Sequence, residues 1–282
     1  MKYVADIKKW WYKSQPYLEF LRTKDWFYVI GLAYLGFFFK IERLNITDFI
    51  YISVIALLYV AHGYTINNYF DFKLREIDHL NKFWKNINFQ TALFISVLFG
   101  FINFCFSLFY SKTIFTLVIL GTAVSFIYSS SWTRFKDRFV LNIILNSTGF
   151  TILFLIGYLA NKPFSNLIIF LSGYIWLGVI PSQIIHLMAH NDIQIDHAFK
   201  LFYLFLLLWL FEAFICFYIY TKLNILFVLT LVFCIAQVLI IEFSNCRKCK
   251  SIEKINNIRK IFKITDIILG IFLIIYFLSQ VK

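Results

Sequence analysis

Long apolar stretches alternate with polar connections along the whole chain. A membrane-spanning helix needs about 20 predominantly apolar residues, because the hydrocarbon layer is about 30 Å thick. Nine stretches reach or approach this length, near 26–40, 48–70, 89–110, 113–131, 139–160, 164–186, 198–220, 223–243 and 261–280. The pattern therefore predicts an all-α, polytopic membrane protein of about nine transmembrane helices, forming one domain over residues 1–282.

Residues 1–25 precede the first predicted span and have a different character. They lack the compact apolar core of a cleavable signal peptide. Trp10, Trp11 and Tyr17 stand among lysines, and aromatic and basic residues concentrate in the headgroup layer of a bilayer. We therefore expect an interfacial segment before the first span.

Composition supports the membrane class. The chain is 61% hydrophobic and 15% charged, with a mean hydropathy of +0.75, whereas soluble domains carry about 25% charged residues. The net charge of +12 is spread over the connections between spans. It therefore predicts contact with membrane lipid and does not indicate nucleic-acid binding.

The distribution of basic residues predicts the orientation. Most of the 27 Lys and Arg residues fall on one side if the N-terminus is cytoplasmic, which agrees with the positive-inside rule. We expect an integral protein of a bacterial or archaeal cell membrane, with its C-terminus outside. Spans two, four and six then all end on the cytoplasmic face, and each is followed by an unusual polar segment.

The first polar segment is NNYFDFKLREID, which continues the second span. If it is helical, Asn67, Asp71, Arg75 and Asp78 share one face, and Asn68 flanks that face. Carboxylate and amide oxygens are the ligands that Mg²⁺ prefers. The alternative is a solvated helix end with internal Asp–Arg pairs.

A second acidic pair follows the sixth span. Asp192 and Asp196 stand at i and i+4, with Lys200 at i+8. Like charges at this spacing destabilise a helix by a few tenths of a kcal/mol, which a bound cation removes. Nearby, His186 and His190 are placed to touch a second substrate, although a hydrogen-bonded structural histidine is at least as common.

The segment after the fourth span is cationic. It carries Arg134, Lys136 and Arg138 together with Asp137. Basic residues at an interface usually anchor topology. Between two acidic faces, however, they form a clamp for a multiply charged anion such as diphosphate. A basic segment between two acidic ones, around an apolar cavity, therefore indicates a site for Mg²⁺ and a diphosphate that carries an isoprenoid tail.

These segments resemble the motifs of the UbiA-type intramembrane prenyltransferases. NNYFD at 67–71 is similar to the family's NDxxDxxxD motif, and Asp192–Asp196 is similar to its DxxxD motif. Tyr128-Ser129, followed by Arg134 and Lys136, resembles the intervening YSxPPxRxK motif. EFLRTKDW at 19–26 is like the stretch before the family's first span, so the resemblance covers nearly the whole chain.

The resemblance implies a UbiA-like bundle with a cytoplasm-facing active cavity. It implies Mg²⁺-dependent transfer of a prenyl or polyprenyl group from a prenyl diphosphate to a lipophilic acceptor, with an aromatic quinone precursor as the expected class. The implied metal ligands are Asp71, Asp78, Asp192 and Asp196. The implied catalytic cations are Arg134 and Lys136. The implied substrate contacts are Asn67, Asn68, Arg75, Tyr128, His190 and Lys200.

The chain also departs from the family pattern. Asn68 and Arg75 stand where the first motif has aspartates, and Ser131-Trp132 replaces the Pro-Pro pair. The GxxT that usually follows the second acidic motif is absent. The metal site therefore has fewer carboxylates than the family's usual site.

Several alternatives remain open. A degenerate relative acting as a binding or assembly protein would explain the missing carboxylates, and a terpene cyclase would use the same ionisation site. A transporter would place charges near the bilayer midplane, where only His62 and Glu212 are candidates. Cys246 and Cys249 form a single CxxC, and a zinc site would need two more ligands.

Overall fold

The computed structural model describes residues 14–15, 17–39, 43–73, 87–189, 195–219, 224–244 and 252–279. Within these residues the protein is all-α. The long helices are α1 (Thr23–Phe38), α2 (Ile46–Lys73), α3 (Phe89–Tyr110), α4 (Lys112–Ser129), α5 (Phe139–Asn161), α6 (Asn166–Ala189), α7 (Ile195–Ile219), α8 (Asn224–Phe243) and α9 (Ile252–Ser279). A short 3-10 turn, Phe135–Asp137, connects α4 to α5.

Each predicted span coincides with one of these helices. Among the described residues, eight helices are long and apolar enough to cross a membrane, and the apolar part of α1, Tyr28–Phe38, is shorter. The all-α membrane fold is therefore confirmed, whereas the side that faces the cytoplasm stays a prediction. The start of α9 differs from the prediction, because the helix begins at Ile252 and not near residue 261. Ile255 and Ile258 are buried and fix this earlier turn.

Glycine allows α1 and α5 to pack closely. A Cβ atom on Gly36 would collide with the carbonyl oxygen of Phe154, and one on Gly157 would collide with the carbonyl oxygen of Ala33. Small residues at helix interfaces allow backbones in a membrane to approach and gain van der Waals contact. This approach fixes the rotation of α1, and hence the face that α1 presents to the interior.

Two apolar clusters form most of the core. One is built mainly by α6, α7, α8 and α9 and includes Phe202 and Phe262. The other is built by α1, α2, α4 and α5 and includes Phe37 and Ile55. Large apolar side chains also cover the outside: Phe109 is 86% exposed, as suits a surface that faces lipid.

Candidate functional site

A cavity of about 1150 Å³ opens between the two apolar clusters. Residues from α1, α2, α4, α5, α6 and α9 line it, together with the 3-10 turn and the segment that precedes α1. The ends of α2, α4 and α6 therefore meet at one site, as the order of the spans predicts. The charged lining residues are Glu19, Arg22, Asp25, Asp71, Lys136, Asp137, Arg259, Lys263 and Asp266.

The first acidic motif and the cationic motif are in direct contact. Asp71, in the last turn of α2, accepts a charge-assisted hydrogen bond from the Nζ of Lys136. The side-chain amide of Asn142 donates to the backbone carbonyl of Lys136 at 2.5 Å, which holds the turn against α5. Asp71 and Lys136 both line the cavity, so their ion pair brings two predicted site residues together at the cavity wall.

Asn67 links the end of α2 to the end of α4. Its carbonyl accepts from the hydroxyl of Ser129 at 3.2 Å, and its amide nitrogen donates to Asp71 at 3.3 Å. Asn67 and Asp71 lie on the same helix face, as the spacing predicts. The remaining residues of that predicted stripe, Arg75 and Asp78, lie outside the described residues.

The surroundings of Lys136 disfavour the positive charge of its ammonium group. Burial lowers the pKa of Lys136 below its ordinary value, Arg22 lowers it further, and Asp137 opposes the shift. The side chain of Lys136 is only 14% exposed. Two neighbouring cations that repel one another at a cavity wall are stabilised by an anion between them.

Arg134 lies beside the cavity and does not line it. Its backbone has φ 43°, in the left-handed region, which costs a non-glycine residue about 1–3 kcal/mol. Its Nε donates to Asp137 at 2.5 Å, and Asp137 is a lining residue. In this structure Arg134, for which a catalytic role is predicted, therefore contacts the cavity lining through Asp137.

Three cations of the cavity, Arg22, Arg259 and Lys263, are not among the site residues that the sequence predicts. Arg22, the N-cap of α1, also has left-handed backbone (φ 53°), and its guanidinium lies over the ring of Tyr64, 5.6 Å from the centroid. Arg259, on α9, lies within electrostatic range of Arg22 and Asp25. For the cations on α9 the sequence does carry a signal: Arg259, Lys263 and Asp266 stand at i, i+4 and i+7 and so form a charged stripe on one helix face.

Other predicted substrate contacts lie in different environments. Tyr128 lines the cavity, and its hydroxyl accepts from the amide of Asn146 at 3.2 Å. Asn68 is not a lining residue: it is 1% exposed and donates to the carbonyl of Phe20 at 2.5 Å. Asn68 thereby holds the segment before α1, which was expected at the interface, against the end of α2.

The second acidic motif is only partly described. Asp196 lies exposed in the first turn of α7, and Lys200 is also exposed on that helix. Neither lines the cavity. His190 and Asp192 lie outside the described residues, as do Cys246 and Cys249. The role of this motif therefore stays a prediction.

The histidine in the second span has a structural environment. His62 is buried, and its Nδ1 lies 2.9 Å from the carbonyl oxygen of Ser96 on α3. The ring also fills the space beside Gly100. His186, by contrast, lines the cavity. Glu212 lies on α7 beside Gly173, away from the cavity lining.

The oxygen donors fit a cation that is shared with a ligand. Within the described parts of the chain, no group of three or more His, Cys, Asp or Glu side chains could hold a metal by itself. Asp71 offers a carboxylate, and Asn67 an amide oxygen. Mg²⁺ commonly uses one or two protein carboxylates and completes its shell with water and substrate phosphates, so Asp71 and Asn67 would fit as protein ligands of such an ion.

No protein-family model and no curated protein matches the sequence. The fold does match solved structures. A UbiA homologue from Archaeoglobus fulgidus bound to GPP and Mg²⁺ superposes with a TM-score of 0.72 at 15% identity, covering 92% of this chain and 99% of that one. A digeranylgeranylglyceryl phosphate synthase matches with a TM-score of 0.67 at 16% identity, covering 95% and 99%.

A UbiA homologue from Aeropyrum pernix K1 matches with a TM-score of 0.65 at 12% identity, covering 89% of this chain and 98% of that one. The match to another Archaeoglobus fulgidus structure, bound to DMAPP and Mg²⁺, has a TM-score of 0.72 at 14% identity. The chain therefore has the fold of the UbiA prenyltransferase superfamily, and the resemblance predicted from its motifs is confirmed at the level of the fold.

Proposed function

We propose that this chain is an Mg²⁺-dependent prenyltransferase that moves a prenyl group from a prenyl diphosphate to an aromatic acceptor within the membrane. The observation that carries this proposal is the cavity: Asp71 and several cations line it together with extensive apolar walls. Solved proteins of the same fold bind GPP or DMAPP with Mg²⁺. A prenyl diphosphate combines a multiply charged group with an apolar tail, and so matches the charged and apolar parts of the cavity wall.

Asp71 is the residue we propose for the metal, with Asn67 supporting its orientation through their mutual hydrogen bond. Bound Mg²⁺ would neutralise negative charge on the diphosphate and so make it a better leaving group. The sequence prediction adds Asp78, Asp192 and Asp196 to this site. Their contribution is part of the proposal.

The protein cations supply a second source of charge neutralisation. Lys136, Arg22 and Arg259 line one cavity, and Arg22 lies within electrostatic range of both others. When the C–O bond of the prenyl diphosphate breaks, negative charge grows on the diphosphate oxygens. Preorganised cations stabilise that charge most strongly in a site that excludes water. This arrangement compensates for the aspartates that Asn68 and Arg75 replace.

The remaining walls suit the prenyl chain. Val60 and Val124 provide apolar surface, and Tyr59 and Tyr64 provide aromatic rings. An allylic cation is stabilised by ring faces and destroyed by water, so an apolar wall both holds the tail and protects the intermediate. The hydroxyl of Tyr59 donates a hydrogen bond to the backbone carbonyl of Gly149 at 3.1 Å.

The test uses purified protein in lipid nanodiscs with Mg²⁺ and GPP. We expect Mg²⁺-dependent release of pyrophosphate that rises when an aromatic acceptor is added. Asp71→Asn should lower the rate by at least about 100-fold, since one charge-assisted contact to the reacting group is worth about 3 kcal/mol. Glu242→Gln serves as control, because Glu242 bonds Tyr203 on another helix at 2.8 Å and does not line the cavity.

The same assay separates the alternatives. Protection from heating by Mg²⁺ and GPP without turnover would favour a binding or assembly protein, which the replacement of family aspartates by Asn68 and Arg75 suggests. A cyclic hydrocarbon or alcohol in the mass spectrum would identify a terpene cyclase. Equal turnover in wild type and Asp71→Asn would contradict the site assignment.

A further inference from the structure

A carboxylate lies within the membrane-spanning part of the cavity, away from the predicted metal motif. Asp266 of α9 lines the cavity and accepts two hydrogen bonds on the same oxygen, Oδ2. The hydroxyl of Tyr28 on α1 donates at 2.8 Å, and the hydroxyl of Ser182 on α6 donates at 2.7 Å. Three helices thus orient one carboxylate.

Oδ1, the other oxygen of this carboxylate, accepts no hydrogen bond from the residues that the structure describes. The neighbouring cation Lys263 is paired with Asp25 at 2.5 Å. A carboxylate within a membrane span is costly and marks a functional site by default, and here one of its oxygens is left for a ligand.

A purely structural role explains only part of this geometry. Asp25–Lys263 and Tyr28–Asp266 form consecutive contacts between α1 and α9, so they cross-link the two helices. Oδ2 suffices for that link. The link between α1 and α9 does not explain why Oδ1 of Asp266 is left without a protein donor in the described part of the chain. It also does not explain why Ser182, on a third helix, bonds the same carboxylate.

The position along α9 separates this group from the cationic end. Asp266 is seven residues beyond Arg259, which corresponds to about 10 Å along a helix. A diphosphate near Arg259, Arg22 and Lys136 would therefore leave room for a second molecule at Asp266. The charge of Asp266 disfavours an anionic group there and favours a neutral hydrogen-bond donor.

We propose that Asp266 binds the hydroxyl of a hydroxyaromatic acceptor and takes its proton, a role that rests on the prenyltransferase function proposed above. The acceptor O–H bond breaks and its proton passes to Oδ1 of Asp266. The resulting phenolate shares the electron pair with its ring, and a ring carbon forms the new bond to C1 of the prenyl group.

The rest of the step balances without another reactant. The bond between C1 and the diphosphate oxygen breaks, and its electron pair leaves with the diphosphate. Asp266 then returns its proton to the phenol oxygen, and the hydrogen of the newly bonded ring carbon leaves as a proton to the released diphosphate, which restores both the aromatic ring and the carboxylate. Tyr28 and Ser182 hold the carboxylate in place through both changes of charge at Oδ1.

The experiment uses the full-length protein in nanodiscs with Mg²⁺ and GPP, and 1-naphthol as the acceptor probe. Its methyl ether, 1-methoxynaphthalene, is the matched probe without a proton to give. We expect wild type to prenylate naphthol and not the ether. Asp266→Asn should retain GPP affinity within about twofold and lose transfer by about 100-fold or more, the usual range for a lost general base.

A pH profile distinguishes proton transfer from positioning alone. Between neutral pH and the pKa of naphthol, transfer by Asp266→Asn should rise about tenfold per pH unit, since the solvent then supplies the phenolate. Wild type should vary much less over that range. Asp266→Glu should recover part of the activity, and Glu242→Gln, which removes a comparable Tyr–carboxylate bond outside the cavity, should behave as wild type.

Three results would overturn the proposal: wild-type rates of transfer in Asp266→Asn, prenylation of the ether as fast as naphthol, or loss of GPP binding together with transfer in Asp266→Asn. If Asp266→Asn does not fold, the two probes on wild type and the Asp266→Glu variant still decide. Failure of wild type to bind or ionise GPP would instead contradict the prenyltransferase function, and this proposal with it.

Discussion

Lys136 and Asp71 form an ion pair across the cavity wall, which joins the cationic segment after α4 to the acidic end of α2. The contact gives each charge a partner within the protein. In the proposed function, Asp71 would exchange this partner for Mg²⁺ and Lys136 would exchange it for the phosphate oxygens. Ligand binding at this site is therefore expected to exchange one ion pair for two.

Removing the cation at position 136 should weaken diphosphate binding. Lys136→Met deletes one charge-assisted contact, which is worth about 1.5–3 kcal/mol and corresponds to a loss of about 10- to 100-fold in affinity. Lys136→Arg should keep most of the affinity. Isothermal titration with GPP and Mg²⁺ measures both. Equal affinity in wild type and Lys136→Met would contradict a role for this ammonium.

Diphosphate affinity should also depend on pH through Lys136. Its pKa is lowered, chiefly by burial, and only the charged form attracts the anion. The contribution is therefore complete below the lowered pKa and is lost as the pH rises through it, earlier than for an ordinary lysine. Lys136→Arg should hold its affinity to higher pH, since guanidinium stays charged. Parallel curves for the two proteins would argue against this assignment.

The two arginines that only the structure reveals should behave as diphosphate ligands. We expect Arg22→Gln and Arg259→Gln each to raise the KM for GPP by about tenfold, since each removes a cation from the cavity wall. Lys112→Gln provides the control, because Lys112 is exposed at the start of α4 and does not line the cavity. An unchanged KM in both arginine variants would remove them from the site.

Glycine variants should separate helix approach from helix propensity. Gly157→Ala should lower the Tm, because the new Cβ meets the backbone of Ala33 and must push α1 and α5 apart. Gly270→Ala, with no atom of the described residues within 4 Å of its Cβ position, should leave the Tm unchanged or raise it, as alanine favours a helix by about 1 kcal/mol. Thermal unfolding in detergent tests this pair, and a higher Tm for Gly157→Ala would contradict the close packing.

Much of the candidate site follows from local sequence. Asn67 and Asp71 stand four residues apart at the end of a span, so their shared face could be predicted from helical geometry. The meeting of α2, α4 and α6 follows from the alternation of spans, because every second helix ends on the same face. The motif predicts a substrate contact for Asn68, whereas its hydrogen bond to the carbonyl of Phe20 involves a segment far away in sequence and has no local signal.

Length and hydropathy are local properties of a chain, so the number, order and approximate bounds of the membrane helices could be predicted before the fold was known. Contacts between helices distant in sequence decide which face of α1 turns inward, and so bring Arg22 to the cavity and Tyr28 to Asp266. In a membrane the lipid-facing side of a helix is as apolar as its packed side, so hydropathy carries no signal of the rotation of α1. Close packing at Gly36 and Gly157 supplies that information instead.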